Sequence, residues 1–175
     1  MRWIRFFFAI LSANLRGKIS IMDETYIPFR VWITDIDVSV MNHAAMLTVF
    51  EMGRIDFMVR LGFFKLAIKN KWYFPSKSIN AQFIRPLKIL QKAHLITKIL
   101  HVEEPWVYIE QKIVRNGKDV AICVAKSTVK KGRINISAEE IAEALKINEF
   151  PTGKKQIVDS YEKESDIILK QLIEE

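Results

Sequence analysis

The sequence predicts an α+β fold in which an antiparallel sheet packs against one long helix. An apolar pattern with three- and four-residue steps extends from Asn42 to Gly62, and four strand-like stretches follow it. The last two stretches flank Asn116-Gly117, the strongest short signal for a β-hairpin. Nothing between the stretches is long enough for a crossover helix, so we expect an antiparallel meander with the helix across one face.

The first strand is predicted over residues 27–34, before the long helix. Its apolar and polar positions alternate: Phe29, Val31 and Ile33 point one way, and Arg30, Trp32 and Thr34 the other. Residues 35–41 are too acidic and too irregular to continue this strand. The strand is therefore expected to end at a junction that leads into the helix.

The long helix is predicted to begin after Asn42, a good N-cap, and to end before Gly62, a good C-terminal stop. Its apolar positions are Met46, Val49, Phe50, Gly53, Phe57 and Leu61. Gly53 inside this helix costs about 1 kcal/mol relative to alanine. We therefore expect another backbone to approach the helix closely at Gly53.

After the helix, residues 63–75 have no clear pattern, although Phe63, Phe64, Trp72 and Tyr73 are candidates either for the wall of a pocket or for ordinary core. The later strands are predicted at 78–85, 94–103, 106–115 and 118–130. Two helical segments follow, one at 136–146 and one after Pro151. In the second, an apolar stripe is expected to dock on the domain: Ile157, Tyr161, Ile168 and Leu172. We predict three parts, 1–25, 26–133 and 134–175.

The N-terminal segment is amphipathic and basic, with no acidic residue before Asp23. Its uninterrupted apolar run, residues 6–11, is far shorter than the ~20 residues of a membrane span. Two interpretations remain open: a helix that lies at a membrane surface through residues 1–18, or a helix that packs on the domain or a partner subunit. A cleaved signal peptide is less favoured because no A-x-A-like cleavage site follows.

The overall composition is that of a globular protein of 175 residues with a net charge of +7. This charge favours anionic partners, but no basic block or aromatic-basic motif indicates nucleic acid. The single Cys123 excludes an internal disulfide and fits a reducing compartment such as the cytoplasm. Because Cys123 lies in an apolar run, it is expected to be a buried core thiol.

The junction before the long helix concentrates Asp35, Asp37, Asn42 and His43. Both acids have an ordinary structural interpretation, because Asp often accepts backbone N–H groups in turns and at helix starts. A metal site is not indicated, since the other two histidines, His94 and His101, lie in predicted strands. The catalytic interpretation combines a carboxylate, as base or nucleophile, with helix N-terminal amides that stabilise an oxyanion.

The same residues resemble the hotdog fold of the 4-hydroxybenzoyl-CoA thioesterase-like branch, and within it the thioesterase superfamily member six group. That group reads roughly F-R-V-W-P-x-D-L-D-x-x-G-H-M-N-N-x-x-Y-L, and residues 29–47 read F-R-V-W-I-T-D-I-D-V-S-V-M-N-H-A-A-M-L. Further similar motifs are L-S-A-N-L-R, E-M-G-R-I-D-F-M-V-R-L-G, F-I-R-P-L and W-V-Y-I-E-Q-K-I-V-R-N-G-K. The resemblance covers about residues 3–145 and implies a sheet wrapped around a central helix.

The resemblance also implies an activity, hydrolysis of an acyl-CoA thioester, with coenzyme A as part of the substrate and no further cofactor. Asp37 corresponds to the catalytic acid, while Asn42 and His43 occupy the M-N-N positions. Met41 and Ala44 are then the substrate-binding candidates, and Asp35 and Glu51 are secondary ones. Other hotdog branches carry their carboxylate on the central helix, but a structural pairing of Glu51 with Arg54 is the favoured interpretation here. The implied assembly is a homodimer or homotetramer with sites near subunit interfaces.

One departure from the family pattern affects the loop before the helix. Val40 stands where Gly or His is usual, one residue is missing, and Met46 replaces the usual aromatic residue. A β-branched Val resists backbone conformations that Gly permits, so the change bears on activity more than on fold. The departure motivates an alternative, a non-catalytic module that binds acyl-CoA or an acyl carrier or only dimerises. A dehydratase that uses His43 is a weaker alternative.

Overall fold

The computed structural model describes residues 2–173. Its main elements are a five-stranded antiparallel sheet and one long helix that crosses the sheet. The helices are α1 (Arg2–Leu15), α2 (His43–Leu61), α3 (Phe63–Asn70), α4 (Ala138–Leu145) and α5 (Lys155–Ile173). The strands are β1 (Thr25–Arg30), β2 (Ser76–Phe83), β3 (Lys92–Glu103), β4 (Trp106–Arg115), β5 (Lys118–Ser127) and the short pair β6 (Lys130–Lys131) and β7 (Ile134–Asn135). The ends of the predicted terminal segments, residues 1 and 174–175, lie outside the described residues, as does the side chain of Leu172.

The sheet order is β1-β3-β4-β5-β2, so the predicted meander is only partly correct. Strands β3, β4 and β5 do follow one another, and Asn116 and Gly117 join β4 to β5 with φ angles of 51° and 71°, as an Asn-Gly hairpin requires. Strand β2 pairs with β5 instead of β3. The physical reason is that β1 already occupies the second edge of β3, from Thr25↔Thr97 onward. Strand β2 therefore forms an edge of the sheet.

Strand β1 ends at Arg30, four residues earlier than predicted. Val31 is still buried, but Ile33 is 73% exposed, so the expected alternation fails there. An Asp35 carboxylate oxygen accepts a hydrogen bond from the backbone N of Trp32 at 3.0 Å, and Ile33–Asp35 forms a 3-10 turn. Such local side-chain bonds compete with strand pairing, which explains the early end.

Helix α2 has the bounds that the caps predicted, with Asn42 as N-cap and Gly62 in the left-handed region at its end. Its buried side chains pack on the inner face of the sheet; the shared core includes Met46, Phe50, Leu95, Ile113 and Cys123. Cys123 is a core thiol as predicted, and burial raises its pKa to about 11. At Gly53 the close approach is made by side chains and not by another backbone, because an added Cβ would lie 2.4 Å from Leu95 and 2.6 Å from Thr97.

Helix α3 was not predicted from the sequence, where residues 63–75 have no clear pattern. It has eight residues, which is too short for helical periodicity to stand out. Gly62 ends α2 and immediately precedes α3, so the chain turns at this glycine without an intervening loop. The buried ring of Phe63 packs near Trp72 and Phe74 and fixes α3 against the domain.

Helices α4 and α5 confirm the predicted helical C-terminal segments. Ile141 of α4 joins the buried cluster of Phe63 and Trp72. In α5 the predicted stripe is only partly correct: Tyr161 is buried as expected, whereas Ile157 and Ile168 are exposed. The docking face is formed by Val158 and Tyr161. These two buried residues pack on the sheet face opposite α2, against a cluster that includes Leu100 and Tyr108.

Helix α1 packs against α2, with Ala13 buried and Arg16 ion-paired to Asp56 of α2 at 2.9 Å. Arg60 lies 3.7 Å from the other oxygen of the same carboxylate and donates to the backbone O of Gly17 at 2.9 Å. Burial raises the pKa of Asp56, and the charges of Arg16 and Arg60 oppose that rise. We call Arg16, Asp56 and Arg60 the Asp56 cluster. Within residues 2–173, no helix is long and apolar enough to cross a membrane.

Candidate active site

The loop between the 3-10 turn and α2 closes tightly despite its missing residue. Ile36 and Met41 form an isolated antiparallel bridge, and the backbone N of Asp37 lies 3.4 Å from the O of Val40. The backbone N of Met41 donates to Leu87 at 2.7 Å, and that of Asn42 donates to Asp35 at 2.8 Å. The loop is therefore anchored on both sides, and it carries Asp37 next to the start of α2.

The two acids of the junction have different environments although one residue separates them. Asp35 is only 4% exposed and holds the 3-10 turn through its bond from the backbone of Trp32. Asp37 is exposed, and its Oδ1 accepts a hydrogen bond from Nδ2 of Asn42 at 3.1 Å. Asp37 is the acid that solvent and a substrate can reach.

The N-terminus of α2 retains free backbone donors beside Asp37. Oδ1 of Asn42 accepts from the backbone N of Ala45 at 2.6 Å, and the backbone O of Asn42 accepts from Met46 at 3.1 Å. Among the residues that the structure describes, no hydrogen-bond partner is found for the backbone N–H groups of His43 and Ala44. Both residues are exposed, so these donors and the positive end of the helix dipole face an accessible surface.

The remaining predicted residues of the junction are distributed between surface and core. The ring of His43 is exposed and stacks on Phe83 of the edge strand β2, with ring centroids 4.1 Å apart. The side chain of Met41 is buried in the core and does not face the surface. Ala44 is exposed and lines a cavity that begins at this point.

That cavity, of about 780 Å³, lies between α2, α3 and β2. All four aromatic candidates line it, namely Phe63, Phe64, Trp72 and Tyr73. Phe63 and Trp72 also belong to a buried apolar cluster, so they serve both as cavity wall and as core. Glu51 is exposed in the same cavity, more than two turns into α2. It forms no ion pair within 4.0 Å with Arg54 in the described part of the chain.

Three side chains near the candidate site were not singled out from the sequence as site residues. Phe83 is the ring on which His43 stacks, and Arg54 and Gln111 meet beside the cavity at 2.8 Å. Gln111 lies in the β4 stretch that was interpreted only as a strand. Its inward position beside Ile109 and Ile113 was the available signal, because a polar side chain at an inward position needs a buried partner.

Comparisons with known proteins identify the architecture. A family profile described as the thioesterase-like superfamily matches residues 31–152. Comparison with curated proteins gives no significant match. Among solved structures, a probable thioesterase from Bartonella henselae is 22% identical, with 65% of this chain and 98% of that chain covered and a TM-score of 0.60.

Two further solved structures resemble the chain. A gentisyl-coenzyme A thioesterase is 20% identical, with 70% of this chain and 99% of that chain covered and a TM-score of 0.60. A thioesterase from Thermus thermophilus, in complex with coenzyme A and Zn, is 19% identical, with 69% of this chain and 90% of that chain covered and a TM-score of 0.59. These likenesses show that the fold is the hotdog fold, as the sequence resemblance implied.

Proposed function

Because the chain belongs to the thioesterase-like superfamily, we propose that it hydrolyses an acyl-coenzyme A thioester to a free acid and coenzyme A. One observation carries this proposal: the exposed carboxylate of Asp37 accepts a hydrogen bond from the side chain of Asn42, the N-cap of α2. The unpaired amides of His43 and Ala44 follow directly on the helix. A carboxylate and free backbone donors therefore lie at the same helix end, which supports a site for acyl transfer to water.

In the proposed reaction the thioester carbonyl oxygen accepts hydrogen bonds from the amides of His43 and Ala44. Asp37 takes a proton from water as the water oxygen attacks the carbonyl carbon, and the amides stabilise the resulting oxyanion. The C–S bond then breaks, and the thiolate of coenzyme A leaves and takes up a proton. A direct attack by Asp37 on the carbonyl, through an anhydride that water later hydrolyses, uses the same geometry. In both routes Asn42 orients the carboxylate.

The test is hydrolysis of a panel of acyl-CoA thioesters by the wild-type chain and by Asp37→Asn. We expect the substitution to lower kcat/KM at least about 100-fold, on the usual contribution of acid–base groups. Replacement of an exposed acid far from the junction, Glu149→Gln, is the matched control and is expected to leave the rate unchanged. An active Asp37→Asn variant would discard the mechanism. Binding of acyl-CoA without turnover by the wild type would favour the non-catalytic module.

We propose further that the chain assembles as a homodimer or homotetramer through the β2 edge. Among the described residues, strand β2 pairs only with β5, and Ile79 and Phe83 on it are exposed. An exposed apolar edge strand is a template for pairing with a second copy. The stacking of His43 on Phe83 would place the candidate site next to that interface. Light scattering should give the molar mass of a dimer or a larger assembly. Ile79→Lys should lower this mass toward that of the monomer, whereas Ile134→Lys should leave it unchanged.

We also propose a cytoplasmic protein that contacts membranes peripherally through residues 1–18. Phe7, Leu11 and Leu15 form one stripe of α1 at four-residue spacing, and they are 67%, 49% and 82% exposed. Basic residues and no acids accompany this stripe, which suits an anionic bilayer. The wild-type chain should sediment with phosphatidylserine vesicles but not with neutral ones. Leu11→Glu should abolish sedimentation; equal sedimentation of both proteins would contradict the proposal.

A further inference from the structure

The cavity beside the candidate site follows one face of α2 from the first turn almost to the end of the helix. Its wall on α2 consists of side chains three or four residues apart, which are Ala44, Leu47, Thr48, Glu51, Ile55 and Met58. At 1.5 Å per residue, the distance from Ala44 to Met58 is about 21 Å. The cavity is therefore long enough for an extended acyl group whose thioester lies at the N-terminus of α2.

Arg54 is a partly buried guanidinium on the wall of this cavity. Its Nη1 donates to Oε1 of Gln111 at 2.8 Å, and no carboxylate lies within ion-pair distance of it in the described residues. Glu51, one turn earlier on α2, stays exposed to solvent. Burial lowers the pKa of Arg54, and the charge of Glu51 opposes this shift. A guanidinium that is partly removed from water and has only a neutral amide as its hydrogen-bond partner binds an anion favourably.

Gln111 holds Arg54 in a fixed orientation. This glutamine is fully buried, and its Nε2 donates to the backbone O of Phe50 at 2.8 Å and to Oγ1 of Thr97 at 3.0 Å. The two bonds leave Oε1 as the acceptor for Arg54. Gly53 allows this arrangement, because a Cβ there would lie 2.8 Å from Nε2 of Gln111. The remaining N–H donors of Arg54 are thus preorganised beside the cavity.

We infer that Arg54 binds a carboxylate at the far end of the acyl group, so that the preferred substrates are ω-carboxyacyl thioesters of coenzyme A. This inference rests on the proposed hydrolase function and adds the substrate class. Arg54 follows His43 by eleven residues, which is about 16 Å along α2. Because the arginine side chain shortens that distance, the acyl group is of medium length. A guanidinium matches a carboxylate through paired hydrogen bonds, which gives the site its selectivity.

The experiment compares decanedioyl-CoA with decanoyl-CoA, two thioesters of equal length that differ in the terminal carboxylate. The wild type should have the higher kcat/KM for decanedioyl-CoA. Arg54→Met should lower that value about tenfold to a hundredfold, the effect of losing a charge-assisted hydrogen bond, and should lower the value for decanoyl-CoA much less. Arg54→Lys should restore part of the preference, and Glu51→Gln should not remove it. Equal losses on both thioesters would overturn the inference while leaving the hydrolase function intact.

A binding measurement separates this inference from the proposed function. Calorimetric titration with decanedioic acid and with decanoic acid does not depend on turnover. Tighter binding of the diacid by the wild type, lost in Arg54→Met at an unchanged melting temperature, supports the carboxylate site even if no acyl-CoA is hydrolysed. Equal binding of the diacid by both proteins overturns the site, whatever the hydrolysis assays show.

Discussion

The two ends of α2 carry acidic residues in opposite environments. Before the N-terminal end, Asp37 is exposed, its carboxylate accepts a hydrogen bond from the Asn42 side chain, and it lies beside backbone donors that have no partner among the described residues. Near the C-terminal end Asp56 has no exposed surface and lies between Arg16 and Arg60. One helix thus presents an acid that is available for chemistry and buries another that joins it to α1. Asp37 lies in the loop before α2 and Asp56 lies inside the helix, and only the folded structure shows which of them is buried.

The comparison teaches that the partner of an acid, rather than its position on the helix, decides its role. Asp37 is held by a neutral amide, so its charge remains available to a water molecule. Asp56 lies between two guanidinium groups and has no exposed surface. Substitutions at the N-terminal end should therefore change rates, and substitutions at the Asp56 cluster should change stability.

The largest effect on stability is expected from Arg16→Met. It leaves the buried Asp56 with only Arg60, at 3.7 Å, and should lower the free energy of unfolding by about 3 kcal/mol, the lower end of the range for breaking a buried ion pair. Urea denaturation measures this loss, and Arg16→Lys should recover much of it. Hydrolysis by the folded fraction should stay at the wild-type rate, the reverse of the Asp37→Asn result. A loss of activity without a loss of stability would contradict the division between the two ends.

Gly53→Ala tests the middle of α2, between its two ends. The added methyl group would lie within 3 Å of Leu95, Thr97 and Gln111, all of them buried. Overpacking costs about 1–3 kcal/mol, and three contacts under 3 Å place this site in the upper half of that range. After a gain in helix propensity of about 1 kcal/mol, a net loss of about 1–2 kcal/mol is expected. Thermal and urea unfolding give the value, with Ala45→Gly as a substitution on α2 that costs helix propensity without overpacking. A Gly53→Ala protein as stable as the wild type would refute the close contact.

Two substitutions of Asn42 distinguish its role as the cap of α2 from its role in orienting Asp37. Asn42→Ala removes the cap bond to Ala45 and should cost about 1 kcal/mol of stability. Asn42→Asp keeps a capping oxygen but loses the donor to Asp37 and adds a like charge, so stability should be retained while kcat falls. Urea unfolding of both variants measures the contribution of the cap, and their hydrolysis rates measure the contribution of the orientation of Asp37. Full activity in Asn42→Asp would show that the amide does not orient Asp37.

The smallest and most gradual effect is the pH dependence that Asp56 contributes. Since burial raises its pKa, the folded chain binds a proton at this carboxyl more tightly than the unfolded chain does. Its contribution to stability is therefore complete below the ordinary pKa of 3.8 and declines as pH rises through the raised value in the folded chain. The difference in unfolding free energy between the wild type and Asp56→Asn, measured by urea denaturation from pH 3 upward, should fall over that interval. A difference that grows with pH would reverse the sign and refute the argument.

The parts of the structure that sequence reasoning predicted are those that local chemistry determines. Asn42 and Gly62 fix both ends of α2, and the Asn116-Gly117 turn fixes the β4–β5 hairpin. The placement of Asp37 beside Asn42 followed from the resemblance, and the structure provides the contact. The pairing of β2 with β5 was not predicted, because it depends on which strand edges remain free after β1 has paired with β3.

The extent of the cavity could not be predicted for a related reason, although its aromatic wall was a candidate. It requires helix α3, whose eight residues give too little periodicity, and it requires residues far apart in the chain to meet. Arg54 and Gln111 are 57 residues apart, so no local pattern connects them. The aromatic candidates Phe63 and Trp72 were open to two interpretations in the sequence, and the fold realises both at once.

The position of α5 restricts how copies of this chain can stack. Val158 and Tyr161 seat the helix on the back of the sheet, and the hydroxyl of Tyr161 donates to Ser78 of β2 at 2.6 Å. Two sheets laid back to back in a tetramer would each need that surface bare. Where α5 covers the strands, a second copy that approached from the back would therefore meet this helix before it reached the sheet.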